Sequence, residues 1–583
     1  MNYSFQGTNG ISGVTGILKN NTGAVTLATP NSYSGGTTVN AGTLNIDNNA
    51  ALGTGSFTIN GGVIDNTSLT PVTLAATNAQ NWNADIVFTG TSALNLGTGA
   101  VALSASRIVT TNGTEPLTVV GVMSGDTFSL TKNGGGSLIL GGVDTYNAGT
   151  TLNAGTLQLN QTTGAANIGI INVAGGNLVF NPPANNFGYA ATINLSAEGT
   201  ISKIGNFQIN YTGTLNGNGN ALNVSTSAGR LYINGNTTNG VSQFNVTGGA
   251  MGFDLSTNNN QGGGAPVFVS NGAPLWFANG VVPMANNVTL YGGTGQGGTG
   301  ALFQEGAGTP TLSGMIPLDS DVSSIGGNNA TGVVNVTGKV TGAGGLAKIG
   351  DNRFTLSGPN DYTGSTAVNA GTLAAGSTTA FGVNSAVSLA NLAGANLDIT
   401  GFNVQIGSLT GGGAAGGNVI LGAATLTTGG DGTSPAAYAG VISGTGSLAK
   451  TGLGSQILSG ASSFTGNIVV SGGSLIAARN NNSPNPVTSA LGNPQASRSL
   501  IVDPGGTLNF ADGDSLGGAT SDVVSTLVIN AGGTDYKVQI SSTLTGWTDV
   551  EPGDPNLSDG SPLVYNLPVG EELIFVRLLV NPN

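Results

Sequence analysis

Residues 348–373 read KIGDNRFTLSGPNDYTGSTAVNAGTL, and their spacing returns three more times in the chain. Ungapped copies begin at Lys19, Lys132 and Lys450. Eight residues after each lysine stands a leucine (Leu27, Leu140, Leu356, Leu458), and fourteen after it an aromatic (Tyr33, Tyr146, Tyr362, Phe464). Next come Val39, Leu152, Val368 and Val470, then Gly42, Gly155, Gly371 and Gly473, then Leu44, Leu157, Leu373 and Leu475. Six columns kept in four copies exceed what a biased composition produces. The starts lie 113, 216 and 102 residues apart, so a worn copy is expected inside the doubled gap. Val246 to Met251 matches the second half of the motif, with the lysine and aromatic columns lost. This reading gives five units of roughly 100 residues.

Between these columns apolar residues alternate over short runs broken by glycine pairs, as in Phe57-Thr58-Ile59-Asn60-Gly61-Gly62-Val63 and Leu138-Ile139-Leu140-Gly141-Gly142. Period-two runs of four to six residues between strong turns mean strand, and no helical period competes. Turns about every 20 residues suit one rung of a parallel β-solenoid, in which each rung is stabilised by its neighbours. The expected fold is all-β: a long right-handed parallel β-solenoid followed by a small antiparallel β module. Its divisions are 1–13, a possible inter-subunit strand; 14–515, the solenoid; and 516–583, a C-terminal β module. That module is expected to pack around Tyr536, Trp547, Phe575 and Leu578, because longer alternating strands and a proline-acidic loop replace the glycine-rich turns.

Composition narrows the chemistry. Among 583 residues, 101 are glycine and 7% are charged, yet 38% are hydrophobic, which separates the chain from disordered sequences. It contains no cysteine and no histidine. Disulfides, thiolate metal sites, Ser-His-Asp catalysis and ordinary zinc sites are therefore excluded. Residues 501–583 hold eleven acidic side chains against Lys537 and Arg577, a balance that disfavours nucleic acid. No apolar run is long enough for a membrane-spanning helix. The first residues lack the basic and apolar regions of a signal peptide.

The columns G-S-L-x-K, L-x-G-x-x-x-Y-x-G and T-x-V-N-A-G-T-L resemble the autotransporter-associated β-strand repeat, also called the passenger-associated transport repeat. The match is clearest from Tyr33 to Leu44, Tyr146 to Leu157 and Tyr362 to Leu373, and an A-L-G segment follows at Ala51-Leu52-Gly53 and Ala490-Leu491-Gly492. The resemblance implies an extracellular β-helical passenger of the bacterial surface, usually an adhesin or surface structure. About 70 residues follow the last repeat, fewer than a translocating β-barrel needs, so self-transport is not expected.

Candidate sites are few. The repeated lysines are expected to satisfy turn carbonyls rather than form a row of cations for an anionic glycan, and the aromatics to pack at a corner rather than stack on sugar. Gly293 to Gly298 fits G-x-G-x-x-G only as glycine-rich sequences do by chance, and Gly429-Gly430-Asp431 is a lone fragment of a calcium nonapeptide. Asp503, Asp512 and Asp514, and Asp549, Glu551, Asp554 and Asp559, are weak calcium candidates without EF-hand spacing. No catalytic residue and no cofactor is expected. The function read from these features is a non-enzymatic, self-assembling subunit of a surface filament, sheath or layer, a homo-oligomer. The alternative is an adhesin binding glycans or surfaces; a polysaccharide-degrading β-helix enzyme comes third.

Overall fold

A strand of three residues persists when strands lie directly above and below it, and this chain is built from such strands. The computed structural model describes residues 1–160, 168–234, 238–256, 261–280, 282–479, 488–493 and 498–510, and beyond them 526–529, 536–541, 548–550, 557–558, 563–565 and 575–580. The chain divides into two compact units, Met1–Phe277 and Ala278–Asn583.

In the first unit Ile17–Lys19, Thr37–Val39, Phe57–Ile59 and Gln80–Trp82 stack in parallel and in register as one sheet. Tyr3–Phe5, Ala24–Leu27, Thr43–Ile46 and Val63–Asp65 begin a second. A third opens at Val72–Thr73 and continues through Leu94–Asn95, Leu117–Val119 and Ser137–Leu140. Tyr3–Phe5 thus pairs with Val25–Leu27 of its own chain, and its alternating pattern adds a strand to the solenoid.

The second unit repeats this construction. Leu346–Lys348, Thr366–Val368, Val387–Leu389 and Leu409–Gly411 form one sheet. Val333–Val336, Arg353–Leu356, Thr372–Ala375 and Asn396–Asp398 form another. Leu426–Thr428, Leu448–Lys450, Ile468–Val470 and Ser499–Val502 belong to a third, and Thr526–Ile529 extends it in parallel. The last strands run the other way: Tyr536–Ser541 pairs antiparallel with Phe575–Val580, and Thr526–Ile529 with Leu563–Tyr565. Trp547, expected in the core of the tail, lies outside the described residues.

The protein is all-β. Its only helical pieces among the described residues are two 3-10 turns, Gln261–Gly264 and Gln296–Gly298, and the second lies within the chance G-x-G-x-x-G match. The core is the inward half of each alternation, as at Leu27, Leu44, Leu157, Leu373 and Leu475, all fully buried. Each such leucine contributes about 1.5–3 kcal/mol. Inward positions are shared by rungs above and below, so burial and register reinforce one another.

Candidate functional site

The four lysines of the repeat are buried side chains that point into the solenoid. Each ends a strand or stands one residue from its end: Ile17–Lys19, Leu130–Asn133, Leu346–Lys348 and Leu448–Lys450. Each pairs with the apolar column one rung on, at Val39, Leu152, Val368 and Val470. Lys348 Nζ donates to Ile349 O at 2.8 Å, Gly350 O at 2.7 Å and Ala370 O at 3.2 Å. Lys132 Nζ donates to Asn133 O, Gly134 O and Ala154 O at 2.7, 2.8 and 3.2 Å. Lys450 Nζ donates to Thr451 O, Gly452 O and Gly472 O at 2.6, 3.1 and 3.1 Å. Lys19 Nζ reaches Asn21 O and, at 2.8 Å, Ala41 O.

An ammonium has three N–H groups and no acceptor, so three carbonyls satisfy it completely. Two belong to the turn that follows the lysine, and the third to the same turn one rung later. The lysine therefore clamps two successive corners. Burial pulls Lys132 down to about 8 and Lys348 to about 7, with Asp351 pushing the latter upward. The carbonyls act in the opposite sense, because a neutral amine could donate only two of the three bonds.

The worn unit keeps a clamp where the repeat spacing placed none. Lys203, fully buried, donates to Gly205 O and, at 2.5 Å, to Ala228 O. It pairs in register with Thr226, the residue at the expected lysine column, whose Oγ1 accepts from Ala250 N at 2.9 Å. The lysine has moved back one rung, which an ungapped comparison of the repeats does not show.

Within each unit successive clamps lie on different faces. In the first unit the strand of Lys19 belongs to the sheet through Thr37–Val39, whereas the strand of Lys132 continues the sheet that began at Tyr3–Phe5. In the second unit the strands of Lys348 and Lys450 also lie in separate sheets. A row of cations along one face is thereby ruled out within each unit.

The aromatic column is equally internal. Tyr33, Tyr146, Tyr362 and Phe464 are fully buried. The tyrosine hydroxyls share hydrogen bonds with a threonine four residues on: Tyr33 with Thr37 at 2.5 Å, Tyr146 with Thr150 at 3.0 Å, and Tyr362 with Thr366 at 2.7 Å. Where the aromatic is Phe464, the fourth residue on is Ile468, so both polar partners have left together. Tyr33→Phe alone should cost about 1 kcal/mol by leaving the Thr37 hydroxyl without its partner, and adding Thr37→Val should recover part of the loss. Thermal melts of the two single variants and the double variant check this; strict additivity would refute the pairing.

Sequence reasoning missed a column twelve residues after the lysine, held by Asn31, Asp144, Asn360 and Ser462. Asn31 Oδ1 accepts from Ile11 N at 2.8 Å while its Nδ2 donates to Ala51 O at 2.7 Å. Asn360 does the same between Val340 N and Ala380 O, both at 2.8 Å. All four are short polar residues beside the aromatic, and that was the available signal.

Of the calcium candidates, Asp503 and Asp549 lie among the described residues. Asp503 is half-buried at a turn after Ser499–Val502. Asp549 lies in the strand Thr548–Asp549. Asp512, Asp514, Glu551, Asp554 and Asp559 lie outside the described residues. Among the described residues no three acidic side chains gather in a metal-binding arrangement. Asp431 is engaged by Thr433 through bonds of 3.0 and 2.9 Å. No helix among the described residues is long and apolar enough to cross a membrane.

Residues 17–46, 130–159, 346–375 and 448–477 each match the family Passenger-associated-transport-repeat. The chain carries four passenger-associated transport repeats. Each matched segment is the two-rung unit around one clamp; the first runs through Ile17–Lys19, Ala24–Leu27, Thr37–Val39 and Thr43–Ile46. A curated relative, the Adhesin BmaC autotransporter of Brucella suis biovar 1 (strain 1330), is 32% identical over 529 residues. The shared region covers 86% of this chain and 14% of the relative, so the chain spans about one seventh of that protein's length. No solved structure matches the chain. Passenger-associated transport repeats and such a relative mark a secreted protein of the cell surface.

Proposed function

We propose that this chain is the repetitive, non-enzymatic part of a surface adhesin, and that it hydrogen-bonds glycans or other polar surfaces through its exposed amide ladders. The relationship to an autotransporter adhesin over 86% of the chain carries this reading. The surface supplies a chemical means. Asn40 Nδ2 donates to Asn20 Oδ1 at 2.6 Å, Asn60 to Asn40 at 2.8 Å and Asn83 to Asn60 at 2.9 Å, and all four side chains are exposed. A second ladder links Asn172, Asn194 and Asn216 at 3.0 and 2.7 Å. Each rung-to-rung bond uses one amide N–H and leaves the other for a ligand.

Beads coated with the purified chain should bind glycan-bearing cells several-fold more than beads coated with an unrelated β-solenoid. Replacing Asn40 and Asn60 by alanine should lower that binding while leaving the fold intact. Equal binding by both kinds of bead would sink the adhesive reading.

The filament reading, placed first on sequence grounds, has one observation in its favour. Tyr3 and Phe5 are 58% and 43% exposed on the first strand of their sheet. A second copy could add a strand there through main-chain hydrogen bonds. Light scattering of the full chain and of a form lacking residues 1–13 distinguishes the two: particle growth that requires those residues favours assembly, and a concentration-independent monomer excludes it.

A further inference from the structure

The second repeat departs from its siblings at one buried atom. Asp144 stands where Asn31 and Asn360 stand in the first and third repeats, and is 1% exposed. Its Oδ1 accepts from Met123 N at 2.8 Å, matching Asn31 with Ile11 N and Asn360 with Val340 N. In the siblings the other amide atom is a donor, Nδ2, which reaches a carbonyl. In Asp144 that atom is Oδ2, buried and without a partner among the described residues. A buried carboxylate oxygen that receives no hydrogen bond is costly, and protonation removes its charge. We infer that Asp144 is a proton-operated latch on the second repeat, closed when its carboxyl is neutral and loosened when it ionises.

The surroundings favour the neutral form. Burial pushes the Asp144 carboxyl up to about 7, against the smaller lowering by the Met123 N–H. Among the described residues no lysine or arginine ion-pairs with it. From its own turn Tyr146 faces it, a buried phenol engaged with Thr150 and itself pushed upward by burial and by the carboxylate. The preceding rung supplies Met123 N–H and an exposed Asp126. Residues 161–173, which follow, contain no Asp, Glu, Lys, Arg or Tyr.

The sign follows from the direction of the shift. A carboxyl bound to its proton more tightly in the folded than the unfolded chain gives full stability below the unfolded value of 3.8. Stability then falls as pH rises toward about 7, and levels off above it. Each pH unit separating the folded from the unfolded value changes the opening equilibrium tenfold. A latch that realises only part of that separation opens the repeat roughly 10–100-fold.

Hydrogen exchange of the full chain, corrected for intrinsic rates, tests this at pH 5 and pH 8. Peptides from 117–159 should open roughly 10–100-fold more at pH 8 relative to peptides from 17–46, whose column residue is Asn31. Asp144→Asn should remove that difference, and so should Asp144→Ser, which places there the residue type of the fourth repeat. An unchanged ratio in the native chain would overturn the latch, as would a pH effect that survives in both variants.

Discussion

Lys348→Met should destabilise the third repeat by about 3–5 kcal/mol, because it leaves buried carbonyls without their donor while filling nearly the same volume. Ile349 O, Gly350 O and Ala370 O converge on the ammonium at 2.7–3.2 Å, and the side chain is fully buried. Methionine replaces the stem and none of the hydrogen bonds. Lys339 offers the contrast. Its 2.5 Å ion pair with Asp361 is partly open to solvent, so Lys339→Met should cost far less. Hydrogen exchange across 346–375 measures both effects, since a solenoid opens locally and its stability sums over neighbouring rungs. Equal effects of the two substitutions would show that the clamp carries no special weight.

Gly371→Ala should cost a similar amount, at least about 3 kcal/mol, from backbone strain and overlap together. Gly371 has φ +61°, a left-handed conformation that alanine adopts only under strain. A methyl group there would overlap Gly350 O and lie 2.6 Å from Asn352 O and 2.7 Å from Lys348 Nζ. The glycine column is thus the wall of the clamp, and no side chain fits between the ammonium and its carbonyls. Gly394 has φ +84° with nothing within 4 Å of the added atom, so Gly394→Ala should lose only about 1 kcal/mol. The Lys348→Met and Gly371→Ala effects should not add, because both disrupt one set of bonds. Chemical melts of the two single variants and the double variant read this directly.

Much of this was legible in the linear pattern. Alternation such as Phe57-Thr58-Ile59 specifies a strand with one inward face, and glycine turns about every 20 residues set the rung. The lysine, aromatic and glycine columns marked the corner because identical rungs need identical corners. Other features were hidden. The repeat spacing implies that the worn unit has lost its lysine, since Lys203 stands one rung away from Thr226 in the expected column. The short polar column at Asn31, Asp144, Asn360 and Ser462 carries no meaning in the linear pattern, because its N–H and carbonyl partners lie about 20 residues distant.

The sequence alone determined that the chain is β throughout, that its rungs stack in parallel, and that a lysine returns at each repeat corner, because these follow from local periodicity and turn chemistry. Tertiary structure decided where those corners face. Between the lysines the rungs change from two-sheet to three-sheet form, so the clamps of Lys19 and Lys132 fall on different sheets. It also decided that the lysines are internal, since only stacked rungs bring three carbonyls around one ammonium. The buried Oδ2 of Asp144, without a partner among the described residues, arises in the same way: a carboxylate is ordinary at a turn and costly only once a neighbouring rung has closed over it.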